Sequence, residues 1–129
     1  MGERRMLNDS SVIIEHLRHN EKAAKLLFND KNRTISVQAY MEVLQGIKSK
    51  NKLRYTIAYL TETFQIKGFK YRIGVNAIKF LKKSLSDSED IGIGDAIIAA
   101  TAYCYRETLC TANFDHFKKT GIKIERFIP

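Results

Sequence analysis

The segment Arg5-Met6-Leu7-Asn8-Asp9-Ser10-Ser11-Val12-Ile13-Ile14 contains the pattern that decides the fold. Residues 5–9 predict a strand, and the cluster of Asp9, Ser10 and Ser11 after it is typical of a helix N-cap. The β-branched residues 12–14 are compatible with a strand or a helix. The two serines favour a helix that runs through Leu17, so the chain opens with a strand followed directly by a helix.

The rest of the sequence continues to alternate between extended and helical patterns. Apolar residues at helical spacing follow the cap residue Ser36 and predict a helix to about residue 48. Further strands are predicted at Arg33–Ser36, 64–67, Thr108–Thr111 and, at an edge, 122–127, and further helices at 21–28, around 53–60, around 75–81 and 95–106, with a turn at 29–32. Strands joined by helices imply right-handed crossovers. We therefore predict one α/β domain over residues 1–129, with a parallel sheet of four to five strands and helices on both faces.

Composition excludes several classes of protein. The 129 residues match the usual size of one domain, and a hydrophobic content of 44% is enough for a core. No apolar run approaches the ~20 residues of a membrane-spanning helix, and no signal-peptide stretch follows Arg4 and Arg5, so we expect a cytoplasmic protein without membrane contact. Cys104 and Cys110 lack metal-binding spacing and are expected to be reduced core thiols.

Positive charge is concentrated in one part of the chain. The formal net charge is +8, and residues 48–83 contain ten basic residues against the single acid Glu62. The acids that follow directly are Asp87, Glu89, Asp90 and Asp95. This asymmetry indicates a polyanion that is steered onto a local acidic site, although such charge runs are usually ordinary solvated faces.

Aromatic residues interleave with this basic segment, as in proteins that grip unpaired RNA by stacking and backbone neutralisation. The candidate RNA-contacting residues are Lys48, Lys50, Lys52, Arg54, Lys70 and Arg72. The interleaved aromatic residues are Tyr55, Tyr59, Phe64, Phe69 and Tyr71. Because Phe64 and one face of Tyr55 and Tyr59 fit a core or a dimer interface equally well, the basic residues are the stronger candidates.

A set of acids falls at one edge of the predicted sheet, outside the carboxyl ends of the strands, where ligand sites form. The candidates are Asp9, Glu42, Asp95, Asn113 and Asp115. Several carboxylates within contact distance repel each other, and a hard divalent cation relieves that repulsion. All-oxygen ligands favour Mg²⁺ or Mn²⁺ over zinc. Such ions lower the pKa of a bound water and orient it toward phosphorus, which predicts cleavage of a phosphodiester.

Each of these residues also has a simpler interpretation. Asp9 could cap the first helix, Asp95 could be an acid favoured by the helix dipole, and Asn113 could be a turn residue. Glu42 is harder to dismiss because it adjoins the apolar stripe of its helix. The hydroxyls of Ser10, Ser36 and Thr111 are expected to satisfy backbone groups, and none of the three histidines is favoured as a general base. His116, the nearest, is expected to pack beside Phe117.

Four stretches of this chain together resemble the four motifs of PIN domains. They are Asp9-Ser10-Ser11-Val12-Ile13-Ile14-Glu15, then Ile35-Ser36 to Glu42 with Gly46, then Gly94-Asp95-Ala96-Ile97-Ile98-Ala99-Ala100-Thr101-Ala102, and finally Thr111-Ala112-Asn113 to His116-Phe117. The resemblance is greatest to the VapC toxins of toxin–antitoxin pairs. It spans essentially the whole chain, in order and with ordinary spacing.

The resemblance implies an endoribonuclease that depends on Mg²⁺ or Mn²⁺, often dimeric, and held inactive by a cognate antitoxin that covers the active site. Asp9, Glu42 and Asp95 match the metal-binding acids. Asn113 takes the fourth place, with Asp115 as a nearby substitute. Because Asn113 is neutral, the resemblance leaves open whether one or two metals bind. Asn8 departs from the pattern, since the first strand usually has an apolar residue there.

Three functions compete at this point. The first is a toxin ribonuclease of a type II toxin–antitoxin system, in which Asp9, Glu42 and Asp95 hold the metal ions whose bound water attacks the phosphodiester. The second is a PIN-like nuclease of RNA maturation or quality control. The third is a catalytically silent module that binds RNA or a partner. The short chain favours the toxin, and the intact acids at the three positions argue against a silent module.

Overall fold

A computed structural model describes residues 5–29, 33–87 and 91–129. Its centre is a sheet of five strands in the order β3-β2-β1-β4-β5, and every neighbouring pair is parallel. The strands are β1 (Met6–Asn8), β2 (Arg33–Ser36), β3 (Gln65–Lys67), β4 (Thr108–Thr111) and β5 (Ile124–Arg126). The sheet is therefore parallel throughout, as the sequence predicts.

Helices connect consecutive strands. They are α1 (Ser10–Leu17), α2 (Glu21–Asn29), α3 (Val37–Gln45), α4 (Lys50–Thr63), α5 (Tyr71–Ser86), α6 (Ile93–Cys104) and the short α7 (Phe114–Phe117), which is followed by a 3-10 turn (Lys118–Thr120). The chain moves from β1 outward to β3 and then returns past β1 to β4. With right-handed crossovers, these two directions place the connecting helices on opposite faces of the sheet. The predicted α/β class is confirmed.

The return to β4 creates a topological switch point beside β1. The Asp9 N–H, at the end of β1, donates to the Cys110 carbonyl at 2.9 Å, so the carboxyl ends of β1 and β4 lie side by side. In open parallel sheets the crevice for ligands forms at this kind of junction.

The core lies on both faces of the sheet. Leu7, Ile35 and Leu109 are fully buried on three adjacent strands, with Val12 and Ile13 of α1 packed against them. The alanines of α6 at positions 96, 99, 100 and 102 are also fully buried, which lets this helix pack closely against its neighbours. Cys104 is half-buried and Cys110 buried, and neither forms a disulfide. Among the described residues, no helix is both long and apolar enough to cross a membrane.

Element boundaries differ from the sequence predictions in several places. The helix predicted to reach residue 48 ends at Gln45, where the Gly46 and Ile47 N–H groups bond to carbonyls only three residues back. The helix α6 begins two residues before Asp95 and ends before Arg106, whose left-handed backbone (φ 55°) is incompatible with a helix. The first and last predicted strands, 5–9 and 122–127, are longer than the observed strands β1 and β5, and the short helix α7 was not predicted. The predicted turn at 29–32 and the acids Glu89 and Asp90 lie largely outside the described residues.

Asn8 is the polar exception within the central strand. Its side chain is buried, and its amide nitrogen donates to the Thr34 carbonyl at 3.1 Å on the neighbouring strand. Its Oδ1 has no hydrogen-bond partner among the described residues. A buried acceptor without a hydrogen bond costs free energy, so the Asn8 side chain lowers the stability of the folded protein at this point of the strand.

Candidate active site

Asp9 lies at the end of β1 with its side chain buried and held by hydroxyl groups. Its Oδ2 accepts hydrogen bonds from Ser11 Oγ and from Thr111 Oγ1, both at 2.8 Å. The carboxylate does not cap α1, although its backbone occupies the N-cap position. The alternative of a simple helix cap is therefore wrong, and the carboxylate instead joins β1 to β4.

Glu42 lies in α3, behind the cap formed by Ser36, whose Oγ accepts from the Ala39 N–H at 3.0 Å. Ser10 Oγ donates to Glu42 Oε1 at 2.9 Å and approaches Asp9 Oδ1 at 3.5 Å. One hydroxyl thus bridges two carboxylates that are separated by 33 residues in sequence. Ser36 acts on the backbone as predicted, whereas the same prediction for Ser10 is wrong.

Asp95 lies in the first turn of α6, close to the other two acids. Burial, followed by the negative charge of Asp9, raises the pKa of the Asp95 carboxyl, and the charge of Glu42 acts in the same direction. His116 acts in the opposite direction, since its Nδ1 lies 3.1 Å from Asp95 Oδ2. Asp9, Glu42 and Asp95 therefore interact electrostatically, as three acids that share one crevice should.

The two candidates for the fourth position differ in their surroundings. Asn113 is the residue before α7, and its N–H donates to Thr111 Oγ1 at 2.9 Å, so it follows the hydroxyl that holds Asp9. The Asp115 side chain is 77% exposed and pairs with Lys118 at 3.4 Å. Both residues are exposed, and Asn113 is preferred because Asp115 already has a lysine partner.

The chemistry of these side chains fits a hard divalent cation. Carboxylate and amide oxygens are the ligands that Mg²⁺ and Mn²⁺ prefer. In residues 5–29, 33–87 and 91–129, no lysine or arginine pairs with Asp9, Glu42 or Asp95, so no full positive charge of that kind offsets their mutual repulsion. Over the same residues, no three acidic, histidine or cysteine side chains are gathered tightly enough to hold an ion as they stand.

The six basic residues predicted to contact RNA are all exposed, and two of them, Lys52 and Lys70, have neighbours that lie away from the carboxylates. Lys52 lines a groove with Arg18 and His19, just beyond the end of α1 that is distant from Asp9. Lys70 Nζ lies 4.5 Å from the ring centre of Tyr105. Tyr105 directly follows α6, and a rise of ~1.5 Å per residue places it about 15 Å from Asp95 along the helix. RNA contact by these residues stays a prediction.

Of the interleaved aromatic residues, Phe64 is buried in the core and Tyr59 is half-buried, with its hydroxyl 2.6 Å from His16 Nε2. The exposed ones are Tyr55, Phe69 and Tyr71. Phe64 is therefore a core residue, as one of the two alternatives predicted. Contact with RNA stays a prediction for Tyr55, Phe69 and Tyr71, whose side chains are exposed.

Sequence reasoning missed several side chains that contact the acids. Gln38 Nε2 donates to Glu42 Oε2 at 3.1 Å, and its position one helical turn before Glu42 was a usable signal. His116 bonds to Asp95 and is mostly exposed, so the prediction of a packing residue captures only its contact with Phe117. This long-range contact has no local signal in the sequence.

Comparison with known proteins agrees with the α/β fold described above. The PIN domain family model matches residues 6–123. The chain therefore belongs to the PIN domain family. No curated protein matches the sequence.

Several solved structures share the fold at low sequence identity. DNA-bound VapBC from Salmonella typhimurium has a TM-score of 0.84 and 18% identity, over 95% of this chain and 98% of that one. A toxin–antitoxin complex from Klebsiella pneumoniae has a TM-score of 0.80 and 24% identity, over 96% and 99%. FitAcB from Neisseria gonorrhoeae has a TM-score of 0.79 and 20% identity, over 92% and 95%. Each of these matches covers more than nine-tenths of both chains.

Proposed function

We propose that this protein is a metal-dependent endoribonuclease and the toxin of a type II toxin–antitoxin system. The observation that carries the proposal is the convergence of Asp9, Glu42 and Asp95 at the switch point, without a lysine or arginine partner in the described parts of the chain. Membership of the PIN domain family and the likeness to toxin–antitoxin complexes support it.

In the proposed reaction, Asp9, Glu42 and Asp95 would hold Mg²⁺ or Mn²⁺ beside the phosphodiester. Asp9, fixed by two hydroxyls, provides the rigid ligand, and Glu42 and Asp95 approach from α3 and α6. Asn113 would add a neutral carbonyl oxygen. When bound, the ion supplies a lowered water pKa and positive charge for the developing charge on the phosphate oxygens. His116 Nδ1 holds the Asp95 carboxylate in place.

The basic surface is proposed to bind the RNA backbone. Lys48, Lys50, Lys52, Arg54, Lys70 and Arg72 are exposed and would neutralise phosphates outside the crevice. Each phosphate contact steepens the dependence of affinity on salt. Substituting these residues with alanine should therefore flatten that dependence without changing the rate at saturating RNA.

The test of this function uses purified protein free of any partner. Incubated with total cellular RNA, it should yield discrete fragments with Mn²⁺ or Mg²⁺ and none with EDTA, because the carboxylates alone cannot activate water. Sequencing the fragment ends would name the target RNA. Metal-independent cleavage would contradict the mechanism, and no cleavage by folded, metal-loaded protein would favour the silent binding module. Fragments confined to precursor RNAs would favour RNA maturation.

The partner is proposed to be an antitoxin that occupies the groove between α1, α3 and α4. This groove encloses about 470 Å³ and combines the apolar side chains of Ile14, Leu17 and Ile47 with the basic rim of Arg18 and Lys52. An amphipathic segment with acidic residues fits such a surface. α1 is only about 12 Å long, so one segment could fill the groove and reach the carboxylates.

Antitoxin binding can be tested with the small protein encoded by a neighbouring gene. Ile47→Glu, inside the groove, should weaken that complex at least about tenfold, because it places a charge in an apolar contact. Ile57→Glu on the outer face of α4 is the matched control and should bind normally. Equal binding by both variants would place the partner elsewhere.

The resemblance to PIN domains also implies a homodimer, and we propose that the free protein forms one. Light scattering of the free protein would test this proposal.

A further inference from the structure

Glu42 lies against a backbone position that has no side chain. A Cβ atom built on Gly94 would lie 2.5 Å from Glu42 Oε2 and 3.0 Å from Gln38 Nε2. Real Cβ atoms do not approach oxygen this closely, so the Glu42 carboxylate occupies space that any other residue at position 94 would fill. Gly94 is also the residue directly before Asp95, so this close approach draws α3 toward the start of α6.

The carboxylate of Glu42 is held from two further sides. Ser10 Oγ donates to Oε1 at 2.9 Å, and Gln38 Nε2 donates to Oε2 at 3.1 Å. Gln38 itself lies next to Gly94, so an added methyl group would press on both the carboxylate and the donor that orients it. These side-chain ends can move, but the movement would displace Oε2, its donor or both and so change where the carboxylate lies.

We infer that Gly94 and Gln38 are positioning residues that set the location of the Glu42 carboxylate at the crevice. The inference rests on the proposed function, in which Glu42 is a metal ligand. Gly94 leaves the space, Gln38 holds Oε2 in it, and Ser10 fixes the other oxygen relative to Asp9. The geometry of the site therefore depends on two residues that would not themselves touch the metal or the RNA.

The chain offers a closely matched control for this inference. Gly92 lies two residues before Gly94 at the start of the same helix, and a Cβ there would meet nothing within 4 Å. Gly92→Ala and Gly94→Ala thus make the same chemical change in open and in occupied space. Both should fold. Position 94 lies within the helix, where alanine is favoured over glycine, and the crowded atoms there are the ends of flexible side chains. Gly92 is the N-cap residue with an extended backbone (φ −69°) that alanine also adopts, so Gly92→Ala weakens only the cap of α6.

The primary measurement is Mn²⁺ affinity, followed by electron paramagnetic resonance in the absence of RNA. Gly94→Ala should bind Mn²⁺ about tenfold or more weakly than the wild type, a loss typical of disturbed support for a ligand. Gly92→Ala should bind like the wild type. Gln38→Met, which keeps the length but loses the donor, should also weaken binding. If Gly94→Ala does not fold, the Mn²⁺ affinity of Gln38→Met tests the inference by itself.

A double-substitution cycle separates positioning from a general structural effect. Glu42→Asp withdraws the carboxylate by one methylene and should weaken Mn²⁺ binding in the wild-type background. In the Gly94→Ala background it also relieves the collision, so its added cost should be smaller. Non-additivity of this kind is expected only for residues in contact. Strictly additive losses would overturn the inference.

The outcomes also distinguish this inference from the proposed function. Loss of Mn²⁺ binding in Glu42→Gln is expected under the proposed function. If Glu42→Gln weakens binding but Gly94→Ala and Gln38→Met bind like the wild type, the positioning role fails and the metal site stands. If the wild type does not bind Mn²⁺, or Glu42→Gln binds it normally, both fail together.

Discussion

Replacing Asp95 with Asn is expected to abolish metal-dependent RNA cleavage while making the metal-free protein more stable. Removing a residue that merely supports a metal ligand typically costs 10- to 100-fold in affinity or activity, so loss of a ligand itself should exceed about a hundredfold. The amide also removes one charge from a buried group of like charges, which lowers repulsion in the folded state. Single-turnover cleavage and thermal unfolding of the same preparation measure the two effects.

The gain in stability should depend on pH in a defined direction. Burial and the charges of Asp9 and Glu42 raise the pKa of Asp95 above the ordinary value of 3.8. Ionising the carboxyl therefore destabilises the folded protein, with no penalty below pH 3.8 and an increasing penalty as pH rises through the raised pKa. The unfolding free energy of Asp95→Asn relative to wild type should increase over this window and then stay constant.

Asp115→Asn is the matched control for this substitution. It makes the same change 20 residues later in the sequence, at a side chain that is 77% exposed and paired with Lys118. Its cleavage rate and stability should stay close to wild type. Loss of cleavage in this variant would instead identify Asp115, and not Asn113, as the fourth metal ligand.

Replacing Asn8 with Asp is expected to lower the free energy of unfolding by about 3–5 kcal/mol, because it buries a charge that has no partner. This is the largest loss of stability expected for any of the substitutions proposed. The side chain is buried in the central strand, and its amide donates to the Thr34 carbonyl at 3.1 Å. A carboxylate would place negative charge against that carbonyl oxygen. Urea unfolding at neutral pH should show the loss, which would be a large part of the total stability of a domain.

Asn8→Leu separates the effect of charge from the effect of shape. Leucine has a similar volume and removes the unpaired Oδ1, but it also removes the bond to Thr34. The net change should be small, within about 1 kcal/mol in either direction. A loss as large as that of Asn8→Asp would mean that the hydrogen bond to Thr34, rather than the absence of buried charge, is what the strand requires.

The fold was largely predictable because its signals are local. The Asp9-Ser10-Ser11 cluster, the cap residue Ser36 and the apolar spacing after it indicate helices, and helices between strands imply a parallel sheet. The ends of elements were less predictable because they depend on individual bonds. One example is α3, which ends at Gln45, where hydrogen bonds to carbonyls three residues back tighten the last turn.

The candidate site was predictable only as far as the positions of its acids. Their place after strands β1 and β4 and in helices α3 and α6 follows from topology. The contacts of Ser10 with Glu42 and of His116 with Asp95 join residues that are distant in sequence, so no local pattern indicates them. The role of Gly94 was not predictable from the sequence, because the space it leaves for Glu42 exists only after α3 and α6 meet.

The most direct test of the account is titration of Mn²⁺ into metal-free protein, comparing the wild type with Asp9→Asn by electron paramagnetic resonance. Asp9 is the acid most rigidly held, by Ser11 and Thr111, so its loss should remove the centre of the site. The account predicts that the wild type binds Mn²⁺ and that the variant, still folded, binds it more than about tenfold more weakly. Equal binding by the two proteins would contradict the claim that these carboxylates hold the ion.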